Sequence, residues 1–185
     1  MSLSMLFKRI FDFVISFMLL IMLLPIIIIL WIITSVNTKR NGLFNQLRIG
    51  QFGKPFRIYK LRTFNSFDKI NYVSSVIRRL KLDELPQLWN VIVGDMSLVG
   101  PRPDVPGYYD KLEGEDRKIL NLKPGITSEA SIKYKNEEAI LKGQSNPLKY
   151  NDEVIFPDKV KMNLEYYYKR TFFGDIKIIL KTFIK

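Results

Sequence analysis

The chain has 185 residues, 47% of them apolar, which is enough for one globular core plus a membrane segment and too few for two comfortable domains. It has no cysteine, which excludes disulfides, thiolate metal sites and a cysteine nucleophile, and no histidine, which excludes the usual general base and the usual zinc ligand. Carboxylates are left to carry any acid, base or nucleophilic chemistry, while 29 Lys+Arg against 18 Asp+Glu, a formal +11, imply anionic partners.

Residues 13–33 are apolar except for Ser16 and Pro25, the length of a bilayer-spanning helix. The run is longer than the apolar region of a signal peptide, and no small-residue cleavage site follows it. Pro25 lies near its midpoint and has no N–H to bond the carbonyl of Ile21, which predicts a kink or break. Arms of about 12–15 residues would reach about 20 Å, short of the roughly 30 Å hydrocarbon core. Lys8 and Arg9 precede the segment and Lys39 and Arg40 follow it, so neither end is favoured by charge. A re-entrant hairpin fits this pattern, and a kinked spanning helix fits it equally. Asp12 is spaced to pair with Lys8 or Arg9.

Residues 43–62 read as two short strands around the Gly50-Gln51-Phe52-Gly53 turn. They carry Arg48, Arg57, Lys60 and Arg62, either to bind anions or as a solvated edge that discourages aggregation. Over 68–80, Ile70, Val73, Ile77 and Leu80 recur near helical spacing with Arg78 and Arg79 off the stripe, predicting an amphipathic helix. In Lys81-Leu82-Asp83-Glu84-Leu85-Pro86, Asp83 reads as the N-cap of a helix with Pro86 in its first turn and Leu85, Leu88 and Trp89 facing the core. Acidic first turns commonly do no more than cap. A helix N-terminus would also keep Asp83 ionised, two adjacent carboxylates can hold a divalent cation, and an ionised Asp can attack phosphorus.

Gly94-Asp95-Met96-Ser97-Leu98-Val99-Gly100-Pro101-Arg102-Pro103 holds Arg102 between two prolines, which stiffen its backbone. That suits bidentate phosphate binding or an exposed Pro-rich turn. Lys123-Pro124-Gly125-Ile126-Thr127 reads as another tight turn beside a cation. Residues 128–160, with Glu129, Glu137, Glu138, Asp152 and Glu153, show little periodicity and read as a helix and a long loop. In the tail, Phe172, Phe173, Ile176, Ile179, Leu180, Phe183 and Ile184 share one helical face, while Lys177, Lys181 and Lys185 repeat on the other. Such a helix lies in an anionic membrane interface or packs its apolar face on a core.

Phe7-Lys8-Arg9-Ile10-Phe11-Asp12, Gln46-Leu47-Arg48-Ile49-Gly50, Tyr59-Lys60-Leu61-Arg62-Thr63, Arg78, Leu82-Asp83-Glu84-Leu85-Pro86-Gln87-Leu88, and the two Gly- and Pro-containing runs at 94–103 and 123–127 follow one another over residues 7–127. In that order they resemble the bacterial sugar transferases, monotopic phosphoglycosyl transferases that start assembly of membrane-linked glycans. The resemblance implies an α+β fold: a re-entrant membrane helix-break-helix turning at Pro25 (residues 1–38), then a mainly helical catalytic domain (39–185) with a short β-hairpin and interfacial amphipathic helices. It implies the short, catalytic-unit form, on the cytoplasmic face of a bacterial inner membrane.

The implied reaction moves a sugar-1-phosphate from a UDP-sugar to polyprenyl (undecaprenyl) phosphate. Asp83 would attack the β-phosphate of the Mg²⁺-bound donor, releasing UMP and leaving a phosphosugar on the enzyme, which the polyprenyl phosphate then takes. Glu84, with Asp83, would hold Mg²⁺ or assist proton removal. Arg78 and Arg102 would neutralise phosphates, with Lys60, Arg62 and Arg48 as further phosphate-binding cations. The implied partners are the UDP-sugar, the polyprenyl phosphate and membrane lipids; nucleic acid is not among them, and a homo-oligomer is compatible. Two features depart from the family pattern. Many members continue after position 127 with Gly-Trp-Ala-Gln, where this chain has Ser128-Glu129-Ala130-Ser131, so sugar contacts do not carry over from that region. Leu24-Pro25 stands where some members have Ser-Pro at the helix break.

Two other classes compete. A membrane-tethered protein that recruits nucleic acid or anionic lipid explains the charge but not an Asp-Glu pair beside mounted arginines, and the chain has no nucleic-acid-binding signature. A catalytically retired scaffold is disfavoured by intact Asp83, Glu84 and Arg102.

Overall fold

The apolar run folds as one helix, α1 (Leu3–Thr38), with Pro25 inside it. The computed structural model describes residues 3–67 and 69–184; Met1 and Ser2 of the expected anchor, Asp68 and Lys185 lie outside them. Burial along α1 is inverted with respect to a helix in water. Its buried residues are Asp12, Ser16, Thr34 and Thr38, whereas Phe7, Met18, Ile21, Met22, Ile29 and Val36 are exposed. From Met5 to Thr38 the helix is long and apolar enough to cross a membrane, and little of it is covered by the rest of the chain. A straight 36-residue helix measures about 54 Å, well beyond the roughly 30 Å hydrocarbon core.

The chain packs as two units, the first made of residues 1–48 and 55–96. Here α1 shares its unit with β1 (Leu43–Ile49, up to Arg48), β2 (Pro55–Leu61), α2 (Tyr72–Arg79) and α3 (Gln87–Val93). Strands β1 and β2 pair in the expected two-stranded sheet. The backbone of Gly42, which joins α1 to β1, presses on α1 so closely that a Cβ there would meet the Thr34 hydroxyl and the Trp31 carbonyl. Helix α2 is shorter than the pattern over 68–80 suggests. Asn71 caps it by accepting from the Ser74 N–H, and its buried face is Ser74 and Ile77, while Leu80 falls past its end and is exposed.

Helix α3, which buries Leu88 and Val91, lies against α1. The Arg9 guanidinium donates to the carbonyls of Val91 and Ile92 at 2.6 and 2.7 Å, satisfying two of the end carbonyls of α3 and placing a cation at its negative pole. Asp12 pairs with Lys8 at 3.7 Å.

The second unit comprises residues 49–54 and 97–185. Its core gathers Ile49, Tyr109, Ile119, Leu120 and Val160, with Leu112, Phe156 and Leu164 packed around them. Strands β3 (Ser97–Val99) and β4 (Gly125–Thr127) pair in parallel, Ser97 opposite Gly125 and Val99 opposite Thr127. Of the 123–127 stretch, expected as a tight turn, Gly125–Thr127 is therefore a strand. Residues 128–160 also differ from the expected helix and long loop. They form α4 (Glu129–Lys133), α5 (Glu137–Lys142), α6 (Pro147–Tyr150), a π-turn (Asn151–Ile155) and the start of α7 (Phe156–Lys169), each too short to show a period in sequence.

The tail forms α8 (Phe172–Ile184), whose buried residues are Asp175 and Ile178, with the Thr182 hydroxyl bonded to that of Thr127 at 2.7 Å. The apolar face read from the sequence points outward: Phe173 is 79% exposed and Phe183 82%, with Leu180 and Ile184 beside them. Ile176 and Ile179, on the same face, are half-buried. Lys177 is exposed and Lys181 pairs with Glu129 at 2.8 Å; Lys185, expected on the same basic face, lies outside the described residues.

Candidate active site

The Asp83 carboxylate is presented by a backbone device the sequence does not advertise. Helix α2 ends with Lys81 in the left-handed conformation at φ 59°, the C′ position where glycine is usual. The chain then enters a single 3₁₀ turn, Leu82–Glu84, that turns Asp83 inward. Asp83 is not the N-cap of α3. That helix begins at Gln87 behind Pro86, which has no side chain able to cap, so the acidic pair sits one turn earlier than its spacing suggested.

Lys60, on β2, places its ammonium 3.4 Å from Asp83 Oδ2 and 3.2 Å from Glu84 Oε1, and all three side chains are largely buried. Burial raises the Asp83 pKa above its ordinary value, with the neighbouring Glu84 charge adding to the rise. The ammonium of Lys60 and the more distant charge of Arg78 pull the other way. The expectation that a helix N-terminus keeps this acid ionised is thus reversed in sign: desolvation dominates, and Lys60 does the neutralising.

The remaining cations are distributed unevenly. Arg78 lies over the Phe64 ring at 4.8 Å, and its charge acts on Asp83. Arg62 donates from Nε to the Asn41 carbonyl at 2.9 Å and covers the Phe44 ring at 5.1 Å, which commits it to the junction between α1 and β1. Arg48 donates to the Gln46 amide oxygen at 2.7 Å. Arg102 belongs to the second unit, half-buried between two buried prolines just past β3. Among the described residues no group of three or more acidic side chains could cage a metal ion.

One residue missed in sequence holds Lys60 in place. Asn90, fully buried in α3, accepts from the Tyr59 N–H at 3.1 Å and donates to the Arg57 carbonyl at 2.8 Å, supplying the backbone of β2 with the partners an additional strand would give. Its signal was a polar residue on the inward stripe of α3, beside Val91. Replacing it by alanine (Asn90→Ala) leaves two part-buried backbone groups without their side-chain partner and empties a fully buried site. We expect a loss of about 2–4 kcal/mol, read as a lower unfolding midpoint in detergent.

The family model of bacterial sugar transferases matches residues 3–185. The chain belongs to this family. Among its sugar transferase relatives, the uncharacterized sugar transferase EpsL of Bacillus subtilis (strain 168) is 31% identical over 96% of this chain and 86% of its own length. The galactosyl transferase CpsE of Streptococcus agalactiae serotype III (strain NEM316) is 32% identical over 76% of this chain and 33% of its own. The UDP-glucose:undecaprenyl-phosphate glucose-1-phosphate transferase of Caulobacter vibrioides is 31% identical over 76% of this chain and 54% of its own. The chain thus spans a third to about half the length of the last two, and the family is one of transferases.

Proposed function

We propose that the protein transfers a sugar-1-phosphate from a UDP-sugar to polyprenyl phosphate, with Asp83 as the nucleophile. The observation that carries this reading is the buried Asp83 carboxylate, flanked by Glu84 and neutralised by Lys60, in a chain without cysteine or histidine. The names of the relatives give the donor and acceptor classes. An Asp83 oxygen attacks the β-phosphorus and the bond to the bridging oxygen breaks, so UMP leaves with the electron pair. A phosphate oxygen of the acceptor then attacks the same phosphorus, and the Asp83 carboxylate departs.

Two adjacent carboxylates fit Mg²⁺, which binds one or two carboxylates together with substrate phosphates and water. Glu84 and Asp83 would hold it. When bound, it supplies charge neutralisation on the diphosphate. Arg78 and the Pro-mounted Arg102 serve the phosphates, where most stabilisation of phosphoryl transfer is electrostatic.

We place the catalytic part on the cytoplasmic face, with α1 turning back at Pro25 rather than crossing. Support for the turn comes from the buried polar residues. Ser16 and Thr34 lie nine residues either side of Pro25, and Asp12 and Thr38 thirteen either side, so a fold at the proline brings each pair to one depth. The exposed apolar face of α8 suits the same interface.

The test is incubation of the detergent-purified protein with Mg²⁺, a polyprenyl phosphate and a panel of UDP-sugars. Release of UMP with a lipid-linked sugar phosphate supports the reading; release of UDP, or of no nucleotide, refutes it. A pH profile adds a second check. Lys60 lowers the Asp83 pKa, so Lys60→Met should move the acid limb of kcat/KM to higher pH, whereas Lys60→Arg leaves it near the wild-type position.

A further inference from the structure

A cavity of about 440 Å³ opens in the second unit, in the region where the sequence has no readable pattern. Tyr108 and Phe156 give it aromatic walls, in edge contact at 5.0 Å between ring centroids, and Asp104, Glu137, Asn151 and Lys159 line it. Its electrostatics are those of a site for a neutral ligand. Lys159, the one cation on the wall among the described residues, is held by Glu137 at 2.7 Å, and the Tyr108 hydroxyl donates to Asp152 at 3.1 Å. Carboxylates outnumber cations, so a phosphate or carboxylate ligand is repelled.

A neutral ring with hydroxyl groups has what these walls lack. Its O–H groups donate to carboxylates and to the Asn151 amide oxygen, whose NH₂ is already engaged by Tyr108 and Asp152, and its C–H face packs on an aromatic ring. The volume falls in the range of small-molecule sites. Asn151 opens the π-turn that leads into Phe156, a distortion frequent at functional sites.

Position links the cavity to the donor. Asp104 follows Arg102 by two residues, a Cα separation of at most about 7 Å, across the buried Pro103. We infer that this cavity takes the sugar ring of the donor, with Asp104, Glu137 and Asn151 reading its hydroxyl pattern. The inference rests on the proposed UDP-sugar donor and on the phosphate role of Arg102.

The experiment is saturation-transfer NMR on the full chain in detergent, with UDP-glucose, UDP-galactose and UDP-N-acetylgalactosamine as probes and UMP formation followed in parallel samples. In the wild type, ring protons of at least one sugar should take up saturation. In Leu141→Trp, which fills the cavity from its partly exposed wall, that signal should fall about tenfold while the uracil signal stays, which also reports an intact fold. Asn151→Ala should change the order of preference among the three sugars. Ring signals that persist in Leu141→Trp, that fall together with uracil, or that are missing in the wild type overturn the inference. UMP formed by the wild type with ring signals unmoved in the variants keeps the reaction and removes the cavity's role. Ring signals that behave as expected without UMP do the reverse.

Discussion

Asp83→Asn should abolish UMP release, by a factor on the order of 10⁴ or more, without lowering the stability of the fold. The two halves of this expectation have one cause. A carboxylate taken out of water is useful for attack on phosphorus and unfavourable for folding. Because burial raises the Asp83 pKa in the folded chain, the native state holds this proton more tightly than the unfolded state. The stability it contributes is therefore full below the unfolded value of 3.8 and is lost as pH rises toward the raised folded value. At neutral pH the ionised group is a net cost. The amide keeps the shape, removes that cost, and leaves Lys60 its partner in Glu84. Thermal unfolding at pH 7.5 should show a midpoint equal to or above that of the wild type, with the difference narrowing toward pH 4. A midpoint several degrees below the wild type would mean that the Lys60 pair contributes more than desolvation costs.

Gly125→Ala should unfold the second unit's sheet and take activity with it. Gly100 and Gly125 face each other where β3 and β4 meet, and a Cβ on Gly125 would overlap the backbone nitrogen, oxygen and Cα of Gly100. No rotamer relieves a clash between two backbones, so the strands must part. The bonds at risk are Ser97 N–H to the Pro124 carbonyl at 2.8 Å, Gly100 N–H to Thr127 at 3.0 Å, and Gly125 N–H to Pro101 at 2.8 Å. A loss of about 3 kcal/mol or more follows, a fall in midpoint of roughly 6–12 °C for a chain of this size. Because Pro101 loses its partner, the mount of Arg102 shifts as well, and UMP formation at a fixed temperature below the midpoint should fall. An unchanged midpoint would show that the strands do not approach this closely.

The elements legible in sequence were those with a long or strongly marked pattern. The apolar run of α1, the glycine turn between β1 and β2 and the two-faced tail of α8 all carry periods or punctuation that survive without tertiary context. Strands β3 and β4 did not, because three residues cannot display an alternation and their glycines and prolines read as turns. The acidic pair was found, but its setting was misjudged. Placing a cap requires knowing where the helix begins, and Pro86 moved the start of α3 past Asp83. Desolvation was equally hidden, since burial at position 83 depends on Lys60 arriving from β2, more than twenty residues upstream. The cavity is assembled from residues between 104 and 159 by α5, α6 and a π-turn of six residues or fewer and by the start of the longer α7, with Asp104 and Tyr108 from the segment before them, and no local pattern announces such a convergence.

The inverted burial of α1 and the reach of Arg9 set the order in which the molecule can be made. The carbonyls that end α3 are bonded by a side chain that emerges from the ribosome 82 residues earlier, and that side chain belongs to a helix whose apolar surface has nowhere to go in water. Insertion must therefore come first, and the nascent α3 then docks on a helix already seated in lipid. A copy that misses the membrane during synthesis lacks the template against which its acidic turn is set.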